Sequence, residues 1–251
     1  MRIREITVAT RKVEKASAEK GTKILVIGMV IFVVAVGVIF SIISNNQKNH
    51  VTTPSQVSKA EDYGIVFNAK ATPRLDIWED FQCPICNAFE ATNNAYVNEI
   101  VKGGKTKVVF HPVSFIGTNG GQPLSSDESA HAAAVAACAA DAGKFVEMHK
   151  ALYMDQATTE NSGKWTDGHL VLLAANVGIS TPAFAQCVSS GKYLGWTQAI
   201  TATMAKHKVT GTPTIFLNGK VLNYQTKTAK NYVNIFDAAA FKKALKAGGV
   251  L

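Results

Sequence analysis

What this chain lacks is a second pair of closely spaced cysteines or histidines. Four cysteines stand among 251 residues, and a structural zinc site needs four ligands, usually set out as two such pairs. Only Cys83 and Cys86 lie close together. His111, His131, His149, His169 and His207 show no metal-ligand spacing, and each reads as a surface or satisfied interior residue; no metal is expected. A basic stripe interleaved with aromatics is also missing, although the formal net charge is +8. Residues 1–23 carry half of that charge, and the rest is dispersed. This distribution excludes nucleic acid as a partner. Internal repeats and low-complexity segments are absent.

The chain does hold one long uncharged run, the 20 residues from Ile24 to Ile43. At about 1.5 Å per residue a helix of that length spans roughly 30 Å, the hydrocarbon thickness of a bilayer. Seven Lys/Arg precede it and a single Lys48 follows closely, which predicts a cytoplasmic N-terminus and everything beyond the run outside. A cleaved signal peptide is the rival reading. Its apolar region is shorter and ends at small residues spaced A-x-A, whereas this run leaves through Ser-Asn-Asn-Gln. Under either reading the cysteines face an oxidising compartment, where disulfides persist. The expected order is a cytoplasmic tail over 1–22, a transmembrane helix over 23–44, a polar linker over 45–60 and a folded domain over 61–251. The expected location is the cell membrane, single-pass, with the domain extracytoplasmic.

The stretch Leu75-Asp-Ile-Trp-Glu-Asp-Phe-Gln-Cys-Pro-Ile-Cys86 reads as a strand running directly into a helix. Leu75, Ile77 and Trp78 suit a buried strand end. Cys86, Phe89, Val97 and Ile100 carry helical periodicity to about Lys102, and Pro84 suits the first turn. Cys83 then stands at a helix N-terminus, where unpaired N–H groups and the helix dipole favour a thiolate. Cys86, three residues on, lies on nearly the same face and deeper. The pair reads as a dithiol able to close and open as a disulfide, against a chance C-x-x-C or half a zinc site.

Gly64–Phe67 is a candidate first strand, and Lys107–Phe115 reads as the next strand after the motif helix, so that the Leu75 strand, the helix and the Lys107 strand make a βαβ unit with a parallel pair. From about 118 to 206 the pattern is helical without strands: a helix capped by Ser125 or Ser126 and running to Ala142, its continuation through Lys144–Met154, then helices over Thr166–Asn176, from Pro182, and over Trp196–His207. Val209–Leu217, Asn218-Gly219 and Lys220–Tyr224 form a β-hairpin signal. Phe236–Ala247 is a closing helix.

Asp80-Phe-Gln-Cys-Pro-Ile-Cys86, with Gly211-Thr-Pro-Thr-Ile-Phe-Leu-Asn-Gly-Lys220, resembles the DsbA-like thiol–disulfide oxidoreductases of the thioredoxin superfamily. The resemblance implies an α/β, thioredoxin-like fold with an inserted all-helical domain. It makes Cys83 the exposed nucleophile, Cys86 the resolving cysteine, and Pro213 a cis-proline facing the dithiol, with Thr212 before it pairing to an extended substrate chain. Pro84 and Ile85 are the dipeptide of the motif. It implies exported proteins with free thiols as substrates and a quinone-linked membrane protein as redox partner, and no cofactor is called for.

Two departures stand out. The family's proton-shuttling acid commonly lies six residues before the first cysteine, and Ile77 occupies that place here. Glu79 shares its strand face and is the candidate, with Asp76 next door. Strong oxidants of the family often carry Pro-His between the cysteines, and Ile85 supplies neither charge nor hydrogen bond, so a weaker oxidant is expected. Cys138 and Cys187 both fall in the helical block. In an oxidising compartment they are expected to pair as a structural disulfide, free buried thiols being the alternative. The leading functional reading is donation of disulfides to exported proteins. The alternatives are an isomerase or reductase working from the reduced dithiol, and a membrane-tethered binding or chaperone module without redox turnover.

Overall fold

The computed structural model describes residues 51–121, 123–124, 126–222 and 233–250. The apolar run Ile24–Ile43, expected as a transmembrane helix, and the tail before it lie outside the described residues. Among the described residues no helix is long and apolar enough to cross a membrane.

Five strands make one mixed sheet: β1 (Ile65–Phe67), β2 (Arg74–Glu79), β3 (Lys107–Pro112), β4 (Thr214–Leu217) and β5 (Lys220–Val221). Their order is β1-β3-β2-β4-β5. The central strand β2 runs parallel to β3, from Arg74 opposite Lys107 to Glu79 opposite Pro112, and antiparallel to β4. Every β2 residue after Arg74 is buried. A strand covered on both faces accepts polar residues only where partners wait for them. Asp76 therefore meets Arg74 and His111, while Glu79, on the alternate face, meets His149 and Tyr153.

Helix α1 (Pro84–Gly103) joins β2 to β3 and ends where Gly104 takes φ 72°. The strand β3 stops at Pro112 rather than reaching Phe115, because Asp80 intervenes. Its carboxylate accepts the backbone N–H groups of Phe115 and Ile116, each at 2.8 Å, and so starts a short helix α2 (Phe115–Asn119). Then follow α3 (Glu128–Asp141), α4 (Phe145–Met154), α5 (Asp167–Asn176), α6 (Pro182–Ser189) and α7 (Leu194–Ala202), with α8 (Ala238–Ala247) after the hairpin. The alanine-rich α3 is buried along nearly its whole length. Small side chains let neighbours pack closely on every side of it, and it becomes the axis of the helical block.

Several local expectations are corrected. The cap of α3 is Asp127, not Ser125 or Ser126: one carboxylate oxygen accepts Ala130 N–H at 2.8 Å and the other accepts the Ser114 hydroxyl at 2.5 Å. Two acceptor oxygens outcompete one hydroxyl. Lys144–Met154 does not continue α3, since Gly143 at φ 69° breaks the chain between them. Helix α7 ends at Ala202 instead of His207, where the Thr201 and Thr203 hydroxyls bond to the carbonyls of Thr197 and Ile200 and turns follow. Residues 54–60, read as linker from their polarity, fold onto the domain. Val57 bridges to Ile65, and Ser55 N–H donates to Asp141 at 3.0 Å.

The hairpin turn is tight. Asn218 (φ 51°) and Gly219 (φ 74°) are both left-handed, joining Leu217 to its partner Lys220, as Asn-Gly favours. The strand β4 begins only at Thr214.

Candidate active site

Cys83 is the N-cap of α1, with Pro84 in the first turn and no side chain capping the helix. The free N–H groups of that turn thus have the sulfur to point at. The loop before it is held from three sides. Asp80 accepts Gln82 N–H at 2.8 Å. Gln82 reaches Ser129 at 2.8 Å and receives Asn161 N–H at 2.6 Å. Gln156 donates to the carbonyls of Phe81 and Cys83 at 2.6 and 3.1 Å. Ser129, Gln156 and Asn161 all come from the helical block, which therefore acts as the clamp on the motif.

The segment before β4 closes the opposite side. The Thr212–Pro213 peptide is cis, and the Thr212 carbonyl oxygen accepts the Cys83 thiol at 3.4 Å. Cys83 and Cys86 are both free thiols, Cys83 at 7% exposure and Cys86 at 0%. Ile85, between them, is 54% exposed.

Electrostatics separates the two sulfurs. The Cys86 thiol donating to it, together with the Thr212 side chain and the N–H groups of Cys86 and Ile85, outweighs burial and lowers the Cys83 pKa to about 6. Burial, reinforced by the neighbouring Cys83 charge, pushes Cys86 well above the ordinary thiol value. At neutral pH the arrangement holds one thiolate near the surface and one protonated thiol beneath it. Such a pair can attack a disulfide with the outer sulfur and release the resulting mixed disulfide with the inner one.

Glu79 lies under the dithiol, wholly buried, its charge felt at Cys86. Its carboxylate accepts the Tyr153 hydroxyl at 3.2 Å and lies 2.6 Å from His149 Nε2. Asp76 is turned to the other face of β2 and is committed to Arg74 and His111, so it does not serve the dithiol. Burial pushes the Asp80 carboxyl up to about 7 against the pull of the backbone N–H groups it accepts.

Cys138 on α3 and Cys187 on α6 are joined by a disulfide, with Cα atoms 6.0 Å apart. The structure thus brings Cys83, Cys86, Thr212, Pro213 and Glu79 to one place and Cys138 with Cys187 to another. Reading the sequence missed His149, Tyr153, Glu90, Gln82 and Gln156. Only helical spacing marked His149, and helical spacing cannot say which buried face meets a carboxylate. Among the described residues, Glu79, Glu90 and His149 form a group close enough to share an ion. The ring nitrogens of His149 face the two carboxylates: Nε2 is within hydrogen-bond distance of Glu79 at 2.6 Å, and Nδ1 lies 3.8 Å from Glu90, beyond that distance.

A thioredoxin family model matches residues 62–238, and no curated protein matches the chain by sequence. Solved structures similar to it include MdbA, a thiol-disulfide oxidoreductase from Actinomyces oris, at 24% identity and TM-score 0.58, covering 72% of this chain and 88% of that one. DsbG, a disulfide bond oxidoreductase from Mycobacterium tuberculosis, shares 25% identity at TM-score 0.54, covering 79% and 87%. BdbD from Bacillus subtilis shares 21% at TM-score 0.56, covering 79% and 98%. Because the family match takes in the sheet, the motif and the helical block together, the chain belongs to the thioredoxin family.

Proposed function

We propose that the Cys83–Cys86 dithiol makes this chain a protein thiol–disulfide oxidoreductase whose working direction is donation of disulfides to exported proteins. The observation that carries this reading is the split between the sulfurs, with Cys83 lowered to about 6 and Cys86 raised by burial. A substrate thiolate attacks Cys83 of the oxidised enzyme, and the Cys83–Cys86 bond breaks. Cys86 leaves as a thiolate and takes a proton, for which Glu79, a buried acid whose charge reaches Cys86, is the candidate donor. A second substrate thiolate then attacks the mixed disulfide, the substrate disulfide forms, and Cys83 departs as a stable thiolate. Two electrons have passed from substrate to enzyme. Reoxidation returns them to an acceptor, here a quinone-linked membrane partner near which an N-terminal anchor over residues 23–44 holds the domain.

The oxidising strength follows from the leaving group. Thiolate pKa values of about 3.5 mark strong oxidants and about 7 mark reductants of this superfamily. A Cys83 value of about 6 supports a donor weaker than the strongest, consistent with the Ile85 side chain offering no hydrogen bond. The test is the equilibrium reduction potential in glutathione buffers, paired with refolding of reduced ribonuclease. A potential as low as thioredoxin's would favour the reductase reading. Full activity of Cys83→Ser would overturn thiol exchange altogether.

A further inference from the structure

Beneath the dithiol, both nitrogens of one imidazole face carboxylates. His149 Nε2 is 2.6 Å from Glu79 Oε1, and Nδ1 is 3.8 Å from Glu90 Oε2. Glu90 is on α1, one turn beyond Cys86, and is buried. Its Oε2 accepts the Asn94 side-chain amide at 2.7 Å, while its Oε1 has no hydrogen-bond partner. Glu90 also lines a cavity of about 560 Å³ between α1 and α4, whose walls include Asn94, Lys150 and Tyr153. A continuous set of titratable groups therefore runs from under the dithiol to a space large enough for water.

We propose that His149 and Glu90 extend the proton path of Cys86, so that protons pass between Glu79 and the α1–α4 cavity across the His149 ring. This rests on the disulfide-exchange reading above. Two buried carboxylates beside one imidazole cannot all be charged and balanced, and an uncompensated buried charge costs several kcal/mol. The cluster resolves this by holding a proton. Burial pushes Glu90 up to about 7, while the Glu79 and Glu90 carboxylates raise His149 against its own burial. The other groups facing the ring are Tyr153, hydrogen-bonded to Glu79, and the rings of Phe81, Phe110 and Phe145. Glu99, Lys102 and Lys150 stand at the cavity wall.

In the oxidising half-reaction, Cys83 thiolate attacks an incoming disulfide, giving a mixed disulfide and one released thiolate. The Cys86 thiol gives its proton to Glu79, and its sulfur attacks Cys83. The Cys83–Cys86 bond forms, the mixed disulfide breaks, and the second thiolate leaves. The proton crosses His149 to Glu90, whose carboxyl closes the 3.8 Å gap by rotation and delivers it to water. Donation of a disulfide runs the same path inward.

The test uses the full-length reduced protein, oxidised glutathione, acid quenching and intact mass. Glu90→Gln keeps an acceptor for Asn94 but cannot carry the proton; His149→Gln keeps an acceptor and donor without a ring to cross. In both variants the Cys83–glutathione mixed disulfide should accumulate, its resolution slowed roughly tenfold to hundredfold between pH 6 and 8. Alkylation of Cys83 by iodoacetamide should keep its wild-type pH profile. Resolution at the wild-type rate throughout that range in folded Glu90→Gln would overturn the relay, whether or not His149→Gln folds. A Cys83 alkylation midpoint near that of free cysteine in the wild-type protein would instead overturn the functional reading itself.

Discussion

The sulfur of Cys83 stands 3.4 Å from the carbonyl oxygen of Thr212, across a sequence separation of 129 residues. A helix start alone would leave this sulfur open to water on one side. The return of the chain before β4 closes that side: its carbonyl, an acceptor, holds the protonated thiol, while the Thr212 side chain joins Cys86 and the N–H groups of α1 in lowering the Cys83 pKa. Acidity at this sulfur is therefore a property of the assembled domain.

Alkylation of Cys83 by iodoacetamide should rise with pH through a midpoint near 6 and then level off, since the thiolate reacts and its pKa is about 6. Cys86, buried and raised, should stay unmodified in the native state. A depressed thiol pKa stabilises the folded reduced protein above the ordinary thiol range, and the gain is lost as pH falls through about 6. Between pH 8 and 5 the melting temperature of the reduced form should therefore drop relative to the oxidised form, which has no thiol here to titrate.

Ile85→His places an imidazole at an exposed position (54%) in the first turn of α1, beside Cys83. One good interaction with the thiolate should lower the Cys83 pKa by about one unit, worth about 1.4 kcal/mol, and raise the reduction potential by about 30 mV. Equilibration with glutathione reads this directly, and an unchanged potential would show that residue 85 does not reach the sulfur.

Removing the second disulfide, with Cys138→Ala and Cys187→Ala together, frees a loop closed over a separation of 49 residues. The chain-entropy treatment puts the loss at about 4 kcal/mol, roughly 10 °C in melting temperature for a domain of this size. The potential of the Cys83–Cys86 pair should not move, because the bridge lies within the helical block and does not touch the motif.

Asp127→Ala removes the α3 cap and leaves the buried Ser114 hydroxyl without its acceptor. The combined cost should be about 2 kcal/mol or more, seen in chemical denaturation. Asp127→Asn, which keeps one acceptor oxygen for the cap and can donate its NH2 group to the Ser114 hydroxyl, should cost less. Gly117→Ala should resemble Asp127→Ala, because a Cβ there would lie 1.9 Å from Asp127 Oδ1.

Much of the fold was legible in the residues. The buried run of β2, the periodicity of α1, Pro84 at its start and the Asn218-Gly219 turn are local signals, set by backbone geometry and solvent within a few residues. They mark the βαβ unit, the hairpin and the cysteine pair without reference to the rest of the chain. Errors gathered where a distant partner decides. Asp127 replaced a serine as cap because Ser114 needed an acceptor, and β3 ended early because Asp80 captured the next turn. The polar segment 54–60 reads as linker until its partners Ile65 and Asp141 are known.

That a dithiol stands at a helix start follows from neighbouring residues alone, because a strand, a turn and a helix are short-range structures. What surrounds those sulfurs was settled by packing between distant elements. Glu79 had to be turned inward by the pleat of a fully covered strand, and His149, a sequence separation of 70 away, had to be brought against it by packing of the helical block. A buried charge is tolerated only where a partner meets it, and which partner does so is written in contacts between elements, not in the order of residues.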